Sequence, residues 1–444
     1  MTIFSIRIFA AATLTALFTN TPALSQQISS ERVEYDRLFK ASLANPADLD
    51  TAFKFADLAS SLSEYEAAVG ALERMLFFNP GLQRVRLELG VLYFKLGSYG
   101  QAKTYLTSVI ERPETPTEVS LRVQGFLTEI DRRQQVSQFS GFAQFGLRHQ
   151  TNANAGPNSL NVRVLGFDAV LDSKFRRKPD WNLFGAGGFR HIYDFETQGG
   201  DNWETNVVGY GAWQQHVKDL DLQIGEINTG PRLAVPGDIL PGWNVRPYVL
   251  LAGLALGQSP YQRSTGGGIS TGLPIGPALL EVGAETRRRV FYDSTTYPTA
   301  SGQTGELKTI YGSASYPVMA GLRLLARANL AFNEAGYRFN SYRQTGFDVG
   351  FSWELPALLP SLPRNWTVTT YVGGFNVDYR AANFVVDPNL RRKDREFHVN
   401  SVIDIPVTQY FGVSAQIFYA NNDSNLPNYR YKNFAVSFGP TARF

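Results

Sequence analysis

Leu322-Arg323-Leu324-Leu325-Ala326-Arg327-Ala328-Asn329-Leu330-Ala331-Phe332-Asn333 is the stretch that decides the fold. Leu322, Leu324, Ala326, Ala328, Leu330 and Phe332 alternate with Arg323, Arg327, Asn329 and Asn333. Successive side chains of a strand point to opposite faces, so this period of two gives one apolar and one wet face. Residues 139–148 repeat it, setting Phe139, Gly141, Ala143, Phe145 and Leu147 against Ser140, Gln144 and Arg148. Residues 396–405 set Phe397, Val399, Ile403 and Ile405 against Glu396, His398, Asn400 and Asp404. In 411–419 the apolar series is Phe411, Val413, Ala415, Ile417 and Tyr419. Stretches of about ten residues with this pattern are expected of strands that face lipid and lumen in turn.

A soluble β-sandwich also alternates, and three further features choose the membrane. Tight or Pro-bearing turns (Pro317-Val318, Pro406-Val407, Leu273 to Pro277) alternate with polar loops at 293–305, 333–342, 380–393 and 421–429. Short turns on one side and long loops on the other are expected of an outer-membrane barrel. Aromatics gather towards strand ends at Trp203, Trp213, Trp353, Trp366, Tyr371, Tyr379 and Tyr419, as interfacial girdles do. The chain stops on Phe444, beyond Phe434, Val436 and Phe438. A terminal aromatic of this kind resembles the signal read by the barrel-assembly machinery, so Phe444 is taken as an assembly signal.

Fifteen candidate strands can be drawn, among them 161–172, but a bacterial barrel of this type needs an even number. The doubtful stretch is 219–276, dense in Gly and Pro: dropping one candidate gives fourteen strands, and promoting Pro231–Pro236 gives sixteen. After residue 26 no run approaches the ~20 apolar residues of a membrane-spanning helix. A membrane location therefore requires a closed barrel.

Residues 30–135 have a helical period instead. A shift of 34 places Phe55 on Leu89, Ala56 on Gly90, Leu62 on Leu96, Tyr65 on Tyr99, Ala68 on Ala102 and Leu72 on Leu106. This resembles the tetratricopeptide repeat. Leu89-Gly90-x-x-Tyr93 and Ala102-x-x-x-Leu106 fit its pattern, whereas Ala52 and Arg86 stand where an aromatic is usual. Small residues at 56, 68, 90 and 102 let paired helices approach closely. The stack offers a concave face, on which Phe55, Tyr65, Arg86, Tyr93 and Tyr99 are the expected partner contacts.

The start of the chain reads as an export signal. Arg7 is the only charged residue before Glu31, Ile8 to Phe18 is apolar or small, and Ala23 and Ser25 suit a cut before Gln26. The expected organisation is a signal peptide over 1–25, a tetratricopeptide-like helical domain over 26–135 and an antiparallel transmembrane β-barrel over 136–444. The fold class is α + β, in two domains.

Composition narrows the function. Of 444 residues 18% are charged, below the ~25% of an ordinary soluble protein. A formal charge of +3 excludes a nucleic-acid binder that relies on a strong overall basic field. With no cysteine there are no disulfides, thiolate metal sites or Cys nucleophiles. The four His (149, 191, 216 and 398) are too scattered for a metal cluster, and no Ser sits in a nucleophile elbow. Gly266-Gly267-Gly268 lacks the Lys and helix of a phosphate loop and reads as a flexible bend or bulge. No enzyme and no cofactor is expected. Strand 279–291 places Glu281, Glu285, Arg287 and Arg289 on one side, opposite Val282, Ala284 and Val290. With Arg148, Arg323 and Arg327 they are the expected lining of the lumen, and Arg288 would face lipid near the outer end.

A family resemblance follows from the junction of the two regions. Gly141-Phe142-x-x-Phe145-Gly146, then Thr151-Asn152-Ala153-Asn154-Ala155-Gly156-Pro157, resembles the first strand and Asn-rich loop of the surface lipoprotein assembly modulators. His149-Gln150-Thr151 stands where that family has Asp followed by Ser or Thr. Thr151, Asn152, Asn154 and Pro157 are the family-like loop residues. The resemblance implies fourteen strands, a periplasmic repeat domain and an outer-membrane translocator that delivers surface lipoproteins or small secreted proteins. Implied partners are outer-membrane lipid, the client, the barrel-assembly machinery and a periplasmic chaperone. An exopolysaccharide export porin and a general porin are the competing expectations.

Overall fold

The structure is a computed structural model and describes residues 28–444 apart from 46–47, 63, 113–114, 134, 198, 237–241, 360–361 and 363. The expected signal peptide, 1–25, lies outside the described residues. Chain contacts divide into a helical unit ending at Gln138 and a barrel unit beginning at Phe139.

The helical unit comprises α1 (Ile28–Ala44), α2 (Leu49–Ser61), α3 (Tyr65–Phe78), α4 (Gln83–Lys95), α5 (Tyr99–Ile110) and α6 (Thr117–Arg133). Each helix packs on the next in sequence, as in a repeat stack. Ala56, Ala68 and Ala102 are buried at these contacts. A Cβ added at Gly90 would stand 2.6 Å from Leu106 Cγ, so the repeat's small position is a steric requirement here. Phe55, Leu72, Leu89 and Leu106 fill the core. The Asp48 carboxylate caps α2, accepting from the Thr51 hydroxyl at 2.7 Å and the Thr51 and Asp50 amides at 3.1 and 3.2 Å. The Thr51 bonds lead in holding its pKa below the usual carboxylate value.

The barrel unit is a closed antiparallel barrel of fourteen strands. These are β1 (Ser137–Gln150), β4 (Asp180–Asp194), β5 (Asn202–Gln214), β6 (Leu222–Ala234), β7 (Asn244–Leu256), β8 (Ser259–Ile275) and β9 (Ala278–Phe291). They continue as β10 (Gly305–Met319), β11 (Leu322–Ala335), β12 (Tyr342–Leu355), β13 (Trp366–Ala382), β14 (Arg391–Pro406), β15 (Phe411–Ser424) and β16 (Tyr431–Arg443). The remaining two, β2 (Asn161–Val164) and β3 (Phe167–Val170), pair only with each other. The candidate strand 161–172 is thus a small hairpin inside a loop. It is this segment, and not the 219–276 region, that made the sequence count odd. Pro231 belongs to the end of β6, and the sixteen-strand alternative falls.

Contacts between strands that are not neighbours identify the inside of the wall. Arg287 on β9 reaches Glu226 on β6 at 3.1 Å, Arg148 on β1 reaches Tyr210 on β5 at 2.7 Å, and Arg327 on β11 lies 4.1 Å over the Tyr371 ring on β13. Only a concave face brings such pairs together. Leu324, Ile310, Phe347, Val249, Ile269, Phe397 and Ile417 sit on the other face and are exposed. An exposed apolar belt on a closed barrel is the surface of a membrane-spanning protein. Among the described residues no helix is long and apolar enough to cross a membrane. Trp203, Trp213 and Trp353 also point outwards, but Tyr371 and Tyr379 are buried inside and do not belong to a girdle.

The end where β1 begins and β16 finishes is the near end. Of its turns, 276–277, 320–321 and 407–410 are tight, whereas 195–201, 235–243 and 356–365 are longer. The far end carries 151–179, 292–304 and 383–390 among its loops. Towards the far end the outward face becomes charged: Arg380 pairs with Glu334 at 3.3 Å and Lys393 with Asp378 at 3.8 Å. Arg288 lies on this stretch, exposed and directly across from Glu306. This charged band marks where the strands leave the hydrocarbon.

β1 and β16 close the barrel, pairing from Phe142↔Arg443 to Gln150↔Ala435. Phe444 extends the seam by exchanging two backbone bonds with Gly141, at 3.0 and 3.1 Å. A Cβ at Gly141 would meet the Phe444 ring at 2.6 Å, so this glycine is the seat of the terminal aromatic. Gly141→Val is expected to displace the ring and fray the seam, reducing the heat-modifiable folded form on gels by at least about half, given the 1–3 kcal/mol typical of overpacking. Unchanged folded yield would show that the ring's seat is dispensable.

Candidate functional site

The barrel interior is a lattice of paired charges and aromatics. Arg287 stands between Glu285, at 2.6 Å, and Glu226. Glu285 also accepts from the Tyr248 hydroxyl at 3.1 Å, and that hydroxyl meets Tyr311 at 3.2 Å. Arg289 bonds Asn333. Arg148 lies 4.8 Å over Phe184 besides its bond to Tyr210. Glu281 shares the inward face of β9, and Arg323 that of β11 together with Arg327. The structure therefore brings Glu285, Arg287, Tyr248 and Tyr311 into one cluster, while Arg148 and Arg327 belong to other parts of the wall.

Gly266-Gly267-Gly268 is no bend or bulge; it runs through the middle of β8, paired on both sides. A Cβ at Gly268 would lie 2.6 Å from the Tyr248 hydroxyl, and one at Gly266 would lie 2.7 Å from Arg287 Cα. The two glycines clear the interior for the Tyr248–Glu285–Arg287 cluster.

Sequence reasoning placed Glu396 and His398 on a wet face but did not find their partners, and it missed several other inward clusters. His398 contacts Asp348 at 2.7 Å, and the Tyr431 hydroxyl donates to Glu396 at 2.9 Å. Arg392 forks onto Asp394 at 2.6 Å beneath the Tyr429 ring. Glu204 gathers Arg190, Arg232 and Arg246. Arg392 and Asp394 are neighbours on one face of β14, but the other partners come from different strands or loops, so no local spacing announces those clusters. Among the described residues no group of His, Cys, Asp or Glu could hold a metal ion.

The Asn-rich loop is a fastening. Asn152 is fully buried; its amide donates to the carbonyls of Gly156 (2.9 Å) and Lys432 (3.1 Å) and accepts from the Gly156 N–H (2.8 Å). Thr151 exchanges two bonds with the Phe434 backbone, both 2.9 Å. Asn154 donates to the Arg176 carbonyl at 2.8 Å and accepts from the Lys178 N–H at 2.9 Å, and Pro157 is buried beside them. So anchored, the loop carries its hairpin past β16 and β15. Leu165 and Gly166 donate to the carbonyls of Val385 and Val386, and Arg163 pairs with Asp387 at 3.4 Å.

On the helical unit, Phe55 is wholly buried and serves the core, so the partner contact expected there is corrected. Tyr93 stacks on Tyr105 at 5.6 Å and donates to Glu73 at 2.6 Å. Burial, and then that bond, raise its phenol pKa. Tyr65 lies under Lys95, Tyr99 packs edge-on to Phe94, and Arg86 bonds the Pro80 carbonyl at 3.1 Å. The open apolar surface is elsewhere, at Phe77 (81% exposed), Phe78, Val33 and Leu121.

No protein-family model and no curated protein sequence matches the chain. Among solved structures, the type III secretion chaperone SycD of Yersinia enterocolitica, in complex with a peptide of the translocator YopD, is 13% identical. It aligns over 24% of this chain and 83% of its own, with a TM-score of 0.22. An outer-membrane channel from Pseudomonas putida F1 is 7% identical over 69% of this chain and 95% of its own, TM-score 0.36. An anion-selective porin from Comamonas acidovorans is 9% identical over 69% and 99%, TM-score 0.34. The barrel and its membrane belt stand on the strand pairing and exposure described above.

Asn152→Asp removes the donor to two carbonyls and leaves them unpaired, at a cost of about 1–3 kcal/mol each. The expected outcome is faster proteolysis between β1 and β4 on intact cells, with the barrel still heat-modifiable. Unchanged cleavage would show that the loop is held by other bonds.

Proposed function

We propose that the chain is an outer-membrane translocator that delivers particular client proteins, surface lipoproteins or small secreted proteins, to the cell surface. On this reading residues 1–25 direct export and the helical domain lies in the periplasm, where it receives the client or its chaperone. The barrel then provides the route. One observation carries the proposal: a single chain joins a tetratricopeptide-like stack to a membrane barrel. A pore that passes solutes by diffusion has no use for such a stack. Two further observations support it. Phe77 and Phe78 present adjacent exposed rings at the end of α3, a surface suited to transient contact with an incompletely folded chain. The loop resembling the assembly modulators is built into the seam strand and far rim, where a route to the surface would open.

A second reading, a solute or glycan channel, draws on the charged interior. Gene deletion followed by protease shaving of intact cells separates the two. Expected is the loss of one or a few proteins from the surface, with their retention in the periplasm. A Phe77→Glu, Phe78→Glu double variant should reproduce that loss while the barrel still reaches the outer membrane. An unchanged surface proteome, with altered glycan export or solute uptake, would overturn the translocator in favour of the channel.

A further inference from the structure

Four neighbouring strands bring an unbalanced group of charges to the inner wall near the near end. Glu204, third residue of β5, takes Arg190 of β4 at 2.9 Å, Arg232 of β6 at 3.0 Å and Arg246 of β7 at 3.8 Å. Three guanidiniums against one carboxylate leave two positive charges in excess. Other inner clusters differ: Arg287 has two carboxylates to itself, and Arg443 matches Asp404 one to one at 3.1 Å. Of the acids at the adjoining turn, Asp194 accepts the Glu196 N–H, Asp201 accepts that of Ala234, and Glu196 is exposed.

The donors are also in excess. Each guanidinium carries five N–H groups and no acceptor. Arg246 donates to the Glu204 carbonyl at 3.2 Å and to the Asn228 side chain at 2.8 Å, yet its Nε, 3.8 Å from Glu204 Oε1, is beyond hydrogen-bond reach of it and has no other hydrogen-bond partner. The Nε of Arg190 likewise has none. The Arg246 side chain is only 7% exposed, as confined as Glu204 at 6%. Gly230 stands directly across from Glu204 and leaves the wall between these side chains without one of its own. A buried donor without an acceptor and a surplus of two charges both call for an anion.

We propose that Arg190, Arg232 and Arg246 form an anion-binding site at the near mouth of the barrel, taking a small solute through a carboxylate or phosphate group. Guanidinium forks match the two oxygens of either group. Glu204 acts as the resident counter-ion that orients the three arms and competes with the incoming anion. The site is independent of whether the barrel also passes proteins.

The full-length protein in detergent micelles, titrated with inorganic phosphate and followed by phosphorus NMR line width, tests this. Expected is saturable broadening that citrate reverses; reversal by citrate identifies carboxylates as ligands too, and its failure confines the site to phosphate. Arg246→Gln, or Arg190→Gln should the first fail to fold, weakens binding about tenfold, the loss of one charge-assisted bond. Glu204→Gln tightens binding, which a purely structural ion cluster would not do. Lys308→Gln, on the outer face, leaves it unchanged. Folding of each variant is read from heat-modifiable gel mobility. Absence of saturable broadening in the parent protein, or loss of binding in a folded Glu204→Gln barrel, would overturn the proposal.

Discussion

Backbone pairing in a solvent that cannot hydrogen-bond is the constraint on which the rest depends. In hydrocarbon each unpaired N–H or C=O costs several kcal/mol, so the sheet must close. Closure falls to the two strands furthest apart in sequence, β1 and β16. The chain spends special residues there: Gly141 to seat Phe444, and Thr151 with Asn152 to carry the pairing on into the loop beyond. The most motif-like part of the sequence is therefore the part that joins the ends of the wall.

The same closure dictates the interior. A curved wall brings together side chains from strands that are not neighbours, and the low-dielectric surroundings make unpaired charges costly. Glycine at 266 and 268 lets Arg287 and Tyr248 lie flat against the wall, where their partners from β6 and β10 can reach them. Breaking such a network by removing one partner costs more than never having built it. The Glu226–Arg287–Glu285–Tyr248–Tyr311 chain should thus be read as one unit.

Much of this was legible in the sequence, because a period of two needs only local information. The inward parity of Glu285, Arg287, Arg289 and Arg327 follows from position along a strand. What failed required distance information. Residues 161–172 alternate like a strand but fold back into a two-stranded hairpin separate from the barrel sheet, and only the loop's attachment to 383–390 and 425–430 shows why they stay outside the barrel. Tyr371 and Tyr379 look like girdle residues at strand ends, yet their odd parity on β13 turns them inward onto Arg327 and Arg392. Phe55 has the character of a contact residue and the burial of a core residue, and composition cannot separate these. Glu204 and its three arginines span more than fifty positions of sequence, shown by the numbers 190 and 246 themselves; their meeting depends on the register of four strands.

The two ends of the barrel are built for different work. At the far end the β2–β3 hairpin is tied to the loops between β13 and β14 and between β15 and β16 through backbone bonds and Arg163–Asp387. Opening that rim means breaking several bonds together, so it moves as a unit or stays closed. At the near end three of the turns are tight, and the notable feature is the grouping of three arginines around one carboxylate on the inner wall. A fixed positive field at one end needs no motion to act, whereas the bonded rim at the other moves only by breaking those bonds together. The two ends of the wall thus differ in fixed charge and in bonding, even though its strands are chemically alike from end to end.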